Sequence, residues 1–378
     1  MIIIVKEELK NRLQELRKQM KANNLDSYII TDELDVWYLT NITYSPEERP
    51  FFIIVPLEGK PQLVVPKMEE RHLGEESNID VDIISYWDNP SPEGDNWFDH
   101  VNQVIKDFTR TGIENNVKAS IFFEIEANEL ISLDLVTEMR KVKTPYEVEQ
   151  IRHTCKIADD AMAYMLNSAK KGDNILGMFA VAGQIQEELV QAKKFNPILS
   201  ELLTVVWPAP GSAMPHGVPD IEDTMENGPH IAMSYFRVDG YAAENERTFF
   251  VEQPSDKERE IFQIMMEARE AALAKLKPGV KTAEVDNAAN EVINNHGLKN
   301  ALRHRTGHGI GLNNHEGSFI AEGSKDVLQE NMVISIEPGI YLDGIGGFRH
   351  SDTVLVTKDG YEILTHAPTT IEELTLNN

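Results

Sequence analysis

The sequence has few of the features that secreted, membrane-bound or nucleic-acid-binding proteins rely on. Among its 378 residues there is one cysteine, Cys155, so no intrachain disulfide can form. Lys and Arg number 36 against 62 Asp and Glu, and the net charge of −26 repels nucleic-acid phosphates and anionic lipids. The apolar run at residues 1–5 is too short for the core of a signal peptide or for a membrane span. We therefore expect a cytoplasmic protein that binds neither nucleic acid nor membrane.

The first 137 residues alternate helix-like and strand-like patterns, and a hydrophobic content of 41% excludes a disordered chain. Leu9, Leu13, Leu16 and Met20 recur at helical spacing, which predicts a helix over residues 7–23. Short apolar or alternating runs predict strands at 27–30, 51–55, 62–65, 81–86 and 119–123, with helices at 96–108 and 126–140. The alternation indicates a compact α/β domain over residues 1–137.

Two capping boxes begin long helices in the remaining chain, residues 138–378. Thr144-Pro145-Tyr146-Glu147 and Ser255-Asp256-Lys257-Glu258 each place a hydroxyl at the helix N-cap and a glutamate three residues later. Both helices are followed by a glycine turn and a second amphipathic helix, at an offset of 107 residues. This weak internal repeat predicts a duplicated unit with a site at its centre. The helical period also places Cys155 in the core, as a structural thiol rather than a nucleophile.

Polar residues that are costly to bury cluster in four segments of this second domain, each beside a strand-like apolar run. The segments are 215–217, 240–248, 304–315 and 334–352. The third carries three histidines among glycines, which let other backbone segments approach closely. We expect these four segments to form the functional site.

The motifs within these segments resemble those of the creatinase and prolidase superfamily, which includes methionine aminopeptidases and Xaa-Pro peptidases. The motifs are Gly307-His308-Gly309-Ile310-Gly311-Leu312 with His315-Glu316, Ser335-Ile336-Glu337-Pro338-Gly339-Ile340-Tyr341, Gly240-Tyr241 with Arg247-Thr248, and Arg349 with Asp352. The resemblance implies a duplicated α+β "pita-bread" fold for residues 138–378, a creatinase/prolidase-type α/β domain before it, and a homodimer.

The sequence departs from the superfamily at the metal ligands. Its metal-dependent members hold two cations with two Asp, one His and two Glu, and the positions that match those ligands here are Met233, Glu244, His308, Glu337 and Ser351. Two neighbouring cations need several hard oxygen ligands. We therefore expect no metal ligand and no cofactor. Two divalent ions (Mn, Zn or Co) remain the alternative, including a shifted site formed by Asp239, Glu244, His308, Glu337 and Asp352.

Loss of the metals together with Glu246, where the peptidases carry Thr, resembles creatinase. By that resemblance His216 is the general acid and base, a role that suits a pKa near neutrality. Glu246 and Glu337 would hold a cationic substrate beside His308. Ectoine hydrolases resemble this pattern too, and there Glu244 would act as a covalent nucleophile. The expected function is a metal-independent hydrolase that cleaves a carbon–nitrogen bond in a small guanidino or cyclic-amidine molecule.

Four further residues are predicted to bind the substrate. His304, His315 and Arg349 belong to the same polar segments and would orient it. Arg49 stands where creatinase presents an arginine to the partner subunit's site, and it could pair with a substrate carboxylate. Arg49 is equally well interpreted as a solvated loop charge that follows two glutamates.

Two other functions compete with this prediction. One is an Xaa-Pro dipeptidase or aminopeptidase with an altered metal site, which the overall motif pattern favours. The other is a non-catalytic binding protein, like the superfamily members embedded in histone chaperones. Retention of His216, Glu246, His308 and Glu337 argues for an enzyme.

Overall fold

The computed structural model describes residues 2–376, with side chains from residue 5 onward, so most of the apolar opening run lies outside the described side chains. The chain divides into two compact units, Met1–Arg140 and Lys141–Asn378. Within residues 2–376, no helix combines the length and the hydropathy that crossing a membrane would require.

The first unit is built on a mixed six-stranded sheet with strand order β4-β3-β2-β1-β5-β6. Its strands are β1 (Ser27–Ile30), β2 (Phe52–Pro56), β3 (Gln62–Pro66), β4 (Asp82–Tyr86), β5 (Thr111–Ile113) and β6 (Leu130–Ser132). Its helices are α1 (Ile2–Ala22), α2 (Glu33–Thr40), α3 (Glu70–Glu76), α4 (Trp97–Ile105), α5 (Ala119–Phe122) and α6 (Leu135–Lys141), with a 3-10 turn at Lys67–Glu69. Strand β1 pairs antiparallel with β2 and parallel with β5. Ile29, Phe52 and Val64 pack with Trp97 in its core. The predicted α/β class is confirmed.

Two predicted elements of this unit are wrong. Residues 119–123 form the short helix α5 rather than a strand, and residues 126–140 contain β6 and α6 rather than one helix. The edge position beside β5 is occupied by β6. Within the apolar run only Ile121 is buried, whereas Phe123 is 82% exposed. A strand would need a partner on the sheet, and tertiary pairing therefore overrides the apolar pattern.

The second unit places four long helices against an eight-stranded sheet. The helices are α7 (Pro145–Ser168), α8 (Leu176–Gln191), α9 (Asp256–Leu273) and α10 (Thr282–Asn295), and 3-10 turns lie at Gly211–Ala213 and Lys299–Ala301. The strands are β7 (Glu201–Trp207), β8 (His230–Val238), β9 (Tyr241–Phe249), β10 (Gly307–Gly309), β11 (Glu316–Ile320), β12 (Val333–Ile336), β13 (Gly339–Leu342), β14 (Gly346–Arg349), β15 (Ser351–Thr357) and β16 (Gly360–Ile363). Both capping boxes form as predicted, at the starts of α7 and α9.

The sheet order β11-β10-β12-β15-β9-β8-β7, with β16 beside β15, brings the two halves of the unit together at β9 and β15. Helix pairs α7/α8 and α9/α10 repeat, and β13 and β14 form a separate hairpin. Cys155 is fully buried in α7, as its period predicts. This duplicated α+β unit has the predicted fold class, and the polar segments meet at its central strands.

Candidate active site

Strand register brings the key side chains into two rows across the middle of the sheet. Glu246 on β9 lies opposite Met233 on β8 and opposite Ser351 on β15. Glu244, two residues earlier on β9, faces the same side and lies opposite Tyr235 on β8. Side chains directly opposite on neighbouring strands share one face of a sheet. These rows therefore form the floor of a cavity of about 450 Å³.

Three side chains of two metal-binding types, glutamate and histidine, meet at this floor. The carboxylate oxygen Oε2 of Glu244 lies 3.8 Å from Nε2 of His308, and Oε1 of Glu337 lies 3.1 Å from the same nitrogen. Glu244 and His308 are buried, and the side chain of Glu337 is 12% exposed. Ser351 Oγ donates a hydrogen bond of 2.6 Å to Glu244 Oε1. Two groups of three donors lie close enough together to hold a divalent cation: Glu244 with His308 and His315, and Glu244 with Glu246 and Glu337.

The tautomer of His308 strengthens this assignment. Its Nδ1 lies 3.1 Å from the carbonyl oxygen of Gly309, which can only accept, so Nδ1 carries a hydrogen. In the neutral ring Nε2 is then a bare lone pair that lies 3.1 Å from Glu337 Oε1, a carboxylate oxygen that has no hydrogen to donate to it. A buried nitrogen lone pair that faces two carboxylates is electrostatically unfavourable unless a positive charge lies with them.

The titration of these groups reflects the same excess of negative charge. Burial opposes a charge on His308, but Glu337 and Glu244 outweigh it and raise the His308 pKa to about 9. Burial also opposes ionisation of Glu337, yet His308 lowers its pKa to about 2. The pKa of Glu244 is raised by burial and by the neighbouring Glu337. The cluster therefore favours a bound cation or proton.

A buried ion pair and a relay of hydrogen bonds adjoin the cluster. Arg349 Nη2 donates to Glu246 Oε1 over 2.7 Å, and Arg349 Nε lies 2.5 Å from Glu246 Oε2. Arg349 Nη1 donates to the Tyr341 hydroxyl over 3.1 Å. That hydroxyl lies 2.7 Å from Nε2 of His304, whose Nδ1 donates to the Arg305 carbonyl oxygen over 2.7 Å. Because Nδ1 of His304 carries the hydrogen, Tyr341 donates to Nε2.

The remaining predicted histidines line the same cavity at its exposed side. His315 stacks on His308, with ring centroids 3.7 Å apart, and burial together with His308 lowers the His315 pKa to about 4. His216 is exposed and lines the cavity from the segment before β8. Seven of the predicted site residues therefore line one cavity: His216, Glu244, Glu246, His304, His315, Glu337 and Arg349. His308 lies directly against Glu337 beneath this cavity.

No motif in the sequence indicates the apolar wall of this cavity. Side chains from α8, β7, β8 and the segment between β7 and β8 form it: Phe179, Leu203, Val205, Trp207, Val218 and Tyr235. They are scattered over more than 50 residues, and only the folded sheet brings them together. Arg305 also lines the cavity, with its guanidinium carbon 4.6 Å from the centre of the Phe319 ring.

The shifted metal site does not form, because two of its carboxylates have other partners. Asp352 binds Arg247 Nη2 over 2.7 Å and Arg269 Nη2 over 2.6 Å, deep in the core. Asp239 lies in the turn between β8 and β9, where it accepts from the Asn196 backbone N–H.

Arg49 belongs to the first unit, where it pairs with neighbouring acids. Its Nε donates to Asp88 Oδ1 over 2.9 Å, and Nη1 lies 3.0 Å from Glu48 Oε1. Its suggested contact with a substrate in the partner subunit stays a prediction.

Comparison with known proteins identifies the chain's family. Residues 149–358 match metallopeptidase family M24, and residues 12–142 match the creatinase/prolidase N-terminal domain. The chain is 31% identical over 363 residues to the Xaa-Pro dipeptidase of Pyrococcus furiosus, covering 94% of this chain and 98% of that protein. It is 29% identical to the Xaa-Pro dipeptidase of Lactobacillus helveticus, covering 94% and 96%. The chain belongs to metallopeptidase family M24.

Solved structures agree with this assignment. The prolidase of Pyrococcus horikoshii superposes with a TM-score of 0.78 at 28% identity, covering 96% of this chain and 99% of that one. The Xaa-Pro dipeptidase of Bacillus anthracis superposes with a TM-score of 0.79 at 26% identity, covering 96% and 99%. The α/β N-terminal and pita-bread C-terminal architecture is confirmed, and the chain is a hydrolase.

Two predictions from the sequence are therefore wrong. The match to a metallopeptidase family and the Xaa-Pro dipeptidase relatives overturn a creatinase-like hydrolase of guanidino or cyclic-amidine compounds. The prediction of no metal ligand and no cofactor also fails. Met233 and Ser351 lack carboxylates, but the glutamates and histidines that remain in the site still form two groups that could hold a metal ion.

Proposed function

We propose that this protein is a metal-dependent peptidase that hydrolyses short peptides of the Xaa-Pro type, dipeptides above all. The observation that carries the proposal is the convergence of the Glu244 and Glu337 carboxylates on the buried Nε2 of His308, at 3.8 and 3.1 Å, in a chain of family M24. Relatives at 31% and 29% identity over almost the whole chain are Xaa-Pro dipeptidases, which supports the substrate class.

Glu244, His308 and Glu337 would hold the divalent cation. When bound, such an ion polarises a peptide carbonyl and makes water a better nucleophile at neutral pH. Ser351 fixes one oxygen of Glu244 through its hydrogen bond and so orients the carboxylate. The stacked ring of His315 holds the plane of His308 from one side.

The residues around the cluster can position the peptide and handle protons. His304 accepts from Tyr341, which is fixed by Arg349, so the orientation of the imidazole is set by a buried charge. His216 and His315 reach the exposed side of the cavity, where a leaving amine would need a proton. The apolar wall suits the pyrrolidine ring of proline and an aliphatic side chain before it.

Arg305 is the candidate partner for the free carboxylate of a dipeptide. It lines the cavity, and its Nε donates to the Gly307 carbonyl oxygen over 3.1 Å. The described residues place no carboxylate in a salt bridge with it. Replacing Arg305 by Met should raise the KM for Ala-Pro and leave the KM for Ala-Pro amide nearly unchanged.

Proline release from Gly-Pro, Ala-Pro and Leu-Pro tests the function directly. Protein freed of metal by a chelator should be inactive, and added Mn²⁺, Co²⁺ or Zn²⁺ should restore hydrolysis. His308→Ala should lose activity with every ion, whereas His296→Ala, a histidine on the exposed end of α10, should retain it. Absence of proline release with all three ions in the wild-type protein would overturn the proposal.

We also propose a cytoplasmic homodimer, which the resemblance to creatinase and prolidase supports. Light scattering coupled to size-exclusion chromatography would measure the mass against the 42.7 kDa of one chain. A monomer at micromolar concentration would contradict the dimer without affecting the peptidase proposal.

A further inference from the structure

We infer that each active site of this protein binds one divalent cation rather than two. The inference rests on the proposed function, because it concerns the metal centre of that enzyme. The metal-dependent members of the superfamily it resembles hold two cations at the matching positions. The differences at Met233 and Ser351 remove the second ion rather than the whole centre.

The first argument is the number and kind of donor atoms. Mn²⁺ and similar ions prefer oxygen and imidazole nitrogen, and the thioether of Met233 is a poor donor for them. The Ser351 hydroxyl is neutral and directs its hydrogen to Glu244 Oε1, so it supplies no anionic oxygen. Of the five positions that match the superfamily's ligands, Glu244, His308 and Glu337 therefore keep a donor suited to such ions. Three ligands hold one catalytic ion and leave a coordination position open for water or substrate.

The second argument is charge balance inside a buried site. Here the site has three carboxylates, on Glu244, Glu246 and Glu337, and one permanent positive charge on Arg349. One divalent cation brings this cluster to neutrality when His308 is a neutral ligand. A second would leave an excess of positive charge in a pocket where uncompensated charge is costly.

The position of Arg349 gives the third argument. Both oxygens of Glu246 lie within 2.7 Å of its guanidinium, so the negative charge that Glu246 could offer an ion is already compensated. Glu246 lies in one row with Met233 and Ser351, the two changed ligand positions. The guanidinium therefore neutralises the charge of Glu246 in the part of the floor where Met233 and Ser351 stand in place of carboxylate ligands.

The Nε2 atom of His308 marks where the single ion belongs. This buried nitrogen lies 3.1 Å from an oxygen of Glu337 and 3.8 Å from an oxygen of Glu244. An ion held there satisfies all three side chains at once.

Metal stoichiometry of the full-length protein provides the test. After removal of metal and dialysis against Mn²⁺, elemental analysis should give about one ion per chain for the wild type and close to none for His308→Ala. Met233→Asp with Ser351→Glu restores both lost carboxylates and should raise the ratio to about two. Met214→Asp, which adds a carboxylate at an exposed methionine, is the matched control and should stay at about one.

Electron paramagnetic resonance of the Mn²⁺-loaded wild type gives an independent readout that needs no engineered variant. An isolated Mn²⁺ ion and two Mn²⁺ ions coupled through shared ligands have different spectra. The wild type should show the isolated-ion spectrum. If the double variant fails to fold, Met233→Asp alone should still bind more Mn²⁺ than Met214→Asp.

Each outcome decides the inference separately from the proposed function. Two ions per chain or a coupled spectrum in the wild type would overturn it, even if Xaa-Pro peptides are cleaved. No bound ion, or an unchanged ratio in His308→Ala, would overturn it as well. One ion per chain without proline release would support the single-cation centre and reject only the peptidase activity.

Discussion

Replacing Arg349 by Met should destabilise the protein far more than the same replacement at an exposed arginine. Arg349 and Glu246 form a buried ion pair, with both side chains at most 3% exposed and N···O distances of 2.5 and 2.7 Å. Charge centres about 4 Å apart attract by about 4 kcal/mol at the effective dielectric constant of proteins. Removing one partner of a buried pair typically costs about 3–5 kcal/mol, because the other charge stays buried without compensation.

The chain offers a matched control in Arg152 and Glu362. These residues pair through Nη1 and Nη2 over 2.6 and 2.5 Å, but their side chains are 34% and 46% exposed. Solvent and salt screen such pairs, so Arg152→Met should cost less than about 1 kcal/mol.

The assay is equilibrium unfolding in urea of the metal-free protein, followed by circular dichroism, for both double-mutant cycles. Arg349→Met combined with Glu246→Gln should recover about 2–4 kcal/mol relative to the sum of the single changes, because the second change removes the unpaired charge. The exposed cycle should show a coupling below about 1 kcal/mol. Equal losses for Arg349→Met and Arg152→Met would refute the view that Arg349 neutralises a buried carboxylate.

Three further predictions concern other buried groups. Burial raises the pKa of Glu114 to about 8, so the folded chain keeps a proton that the unfolded chain releases, and the free energy of unfolding falls as pH rises from about 4.5 to 8. Glu114→Gln removes this titration, so its free energy of unfolding relative to wild type should increase by about 4 kcal/mol between pH 5 and pH 9 in urea unfolding; a constant difference would contradict this. Tyr341→Phe removes the hydrogen bonds that link Arg349 to His304. It should lower kcat/KM for Ala-Pro by about 10- to 100-fold and the free energy of unfolding by about 1 kcal/mol. Full activity of this variant would exclude a positioning role for Tyr341. Burial raises the pKa of the Cys155 thiol, so an aromatic disulfide reagent should label it only after unfolding, and rapid labelling of the native protein would contradict its place in the core.

Local signals in the sequence predict the elements whose stabilisation is itself local. The capping boxes at Thr144 and Ser255 form as expected, since each satisfies backbone groups within one turn of helix. The run at 119–123 is wrongly predicted, because whether an apolar pentapeptide becomes a strand depends on an edge to pair with, and β6 takes that edge. For the same reason, local sequence patterns do not predict which side chains form the apolar wall of the cavity. Leu203 and Phe179 meet only after β7 and α8 have packed.

The candidate site shows why a count of matching ligands misjudged the metal. Such a count treats Met233 and Ser351 as losses at two independent positions. It takes no account of the positive charge on Arg349. In the folded protein Arg349 contacts Glu246 between those positions, and the remaining carboxylates lie with His308 at a separate point of the floor. The quantity that decides whether an ion is held is the net charge of the buried cluster together with the orientation of its donors. Both depend on which side chains share one face of the sheet, and this is set by the pairing of β8, β9 and β15 rather than by any one motif.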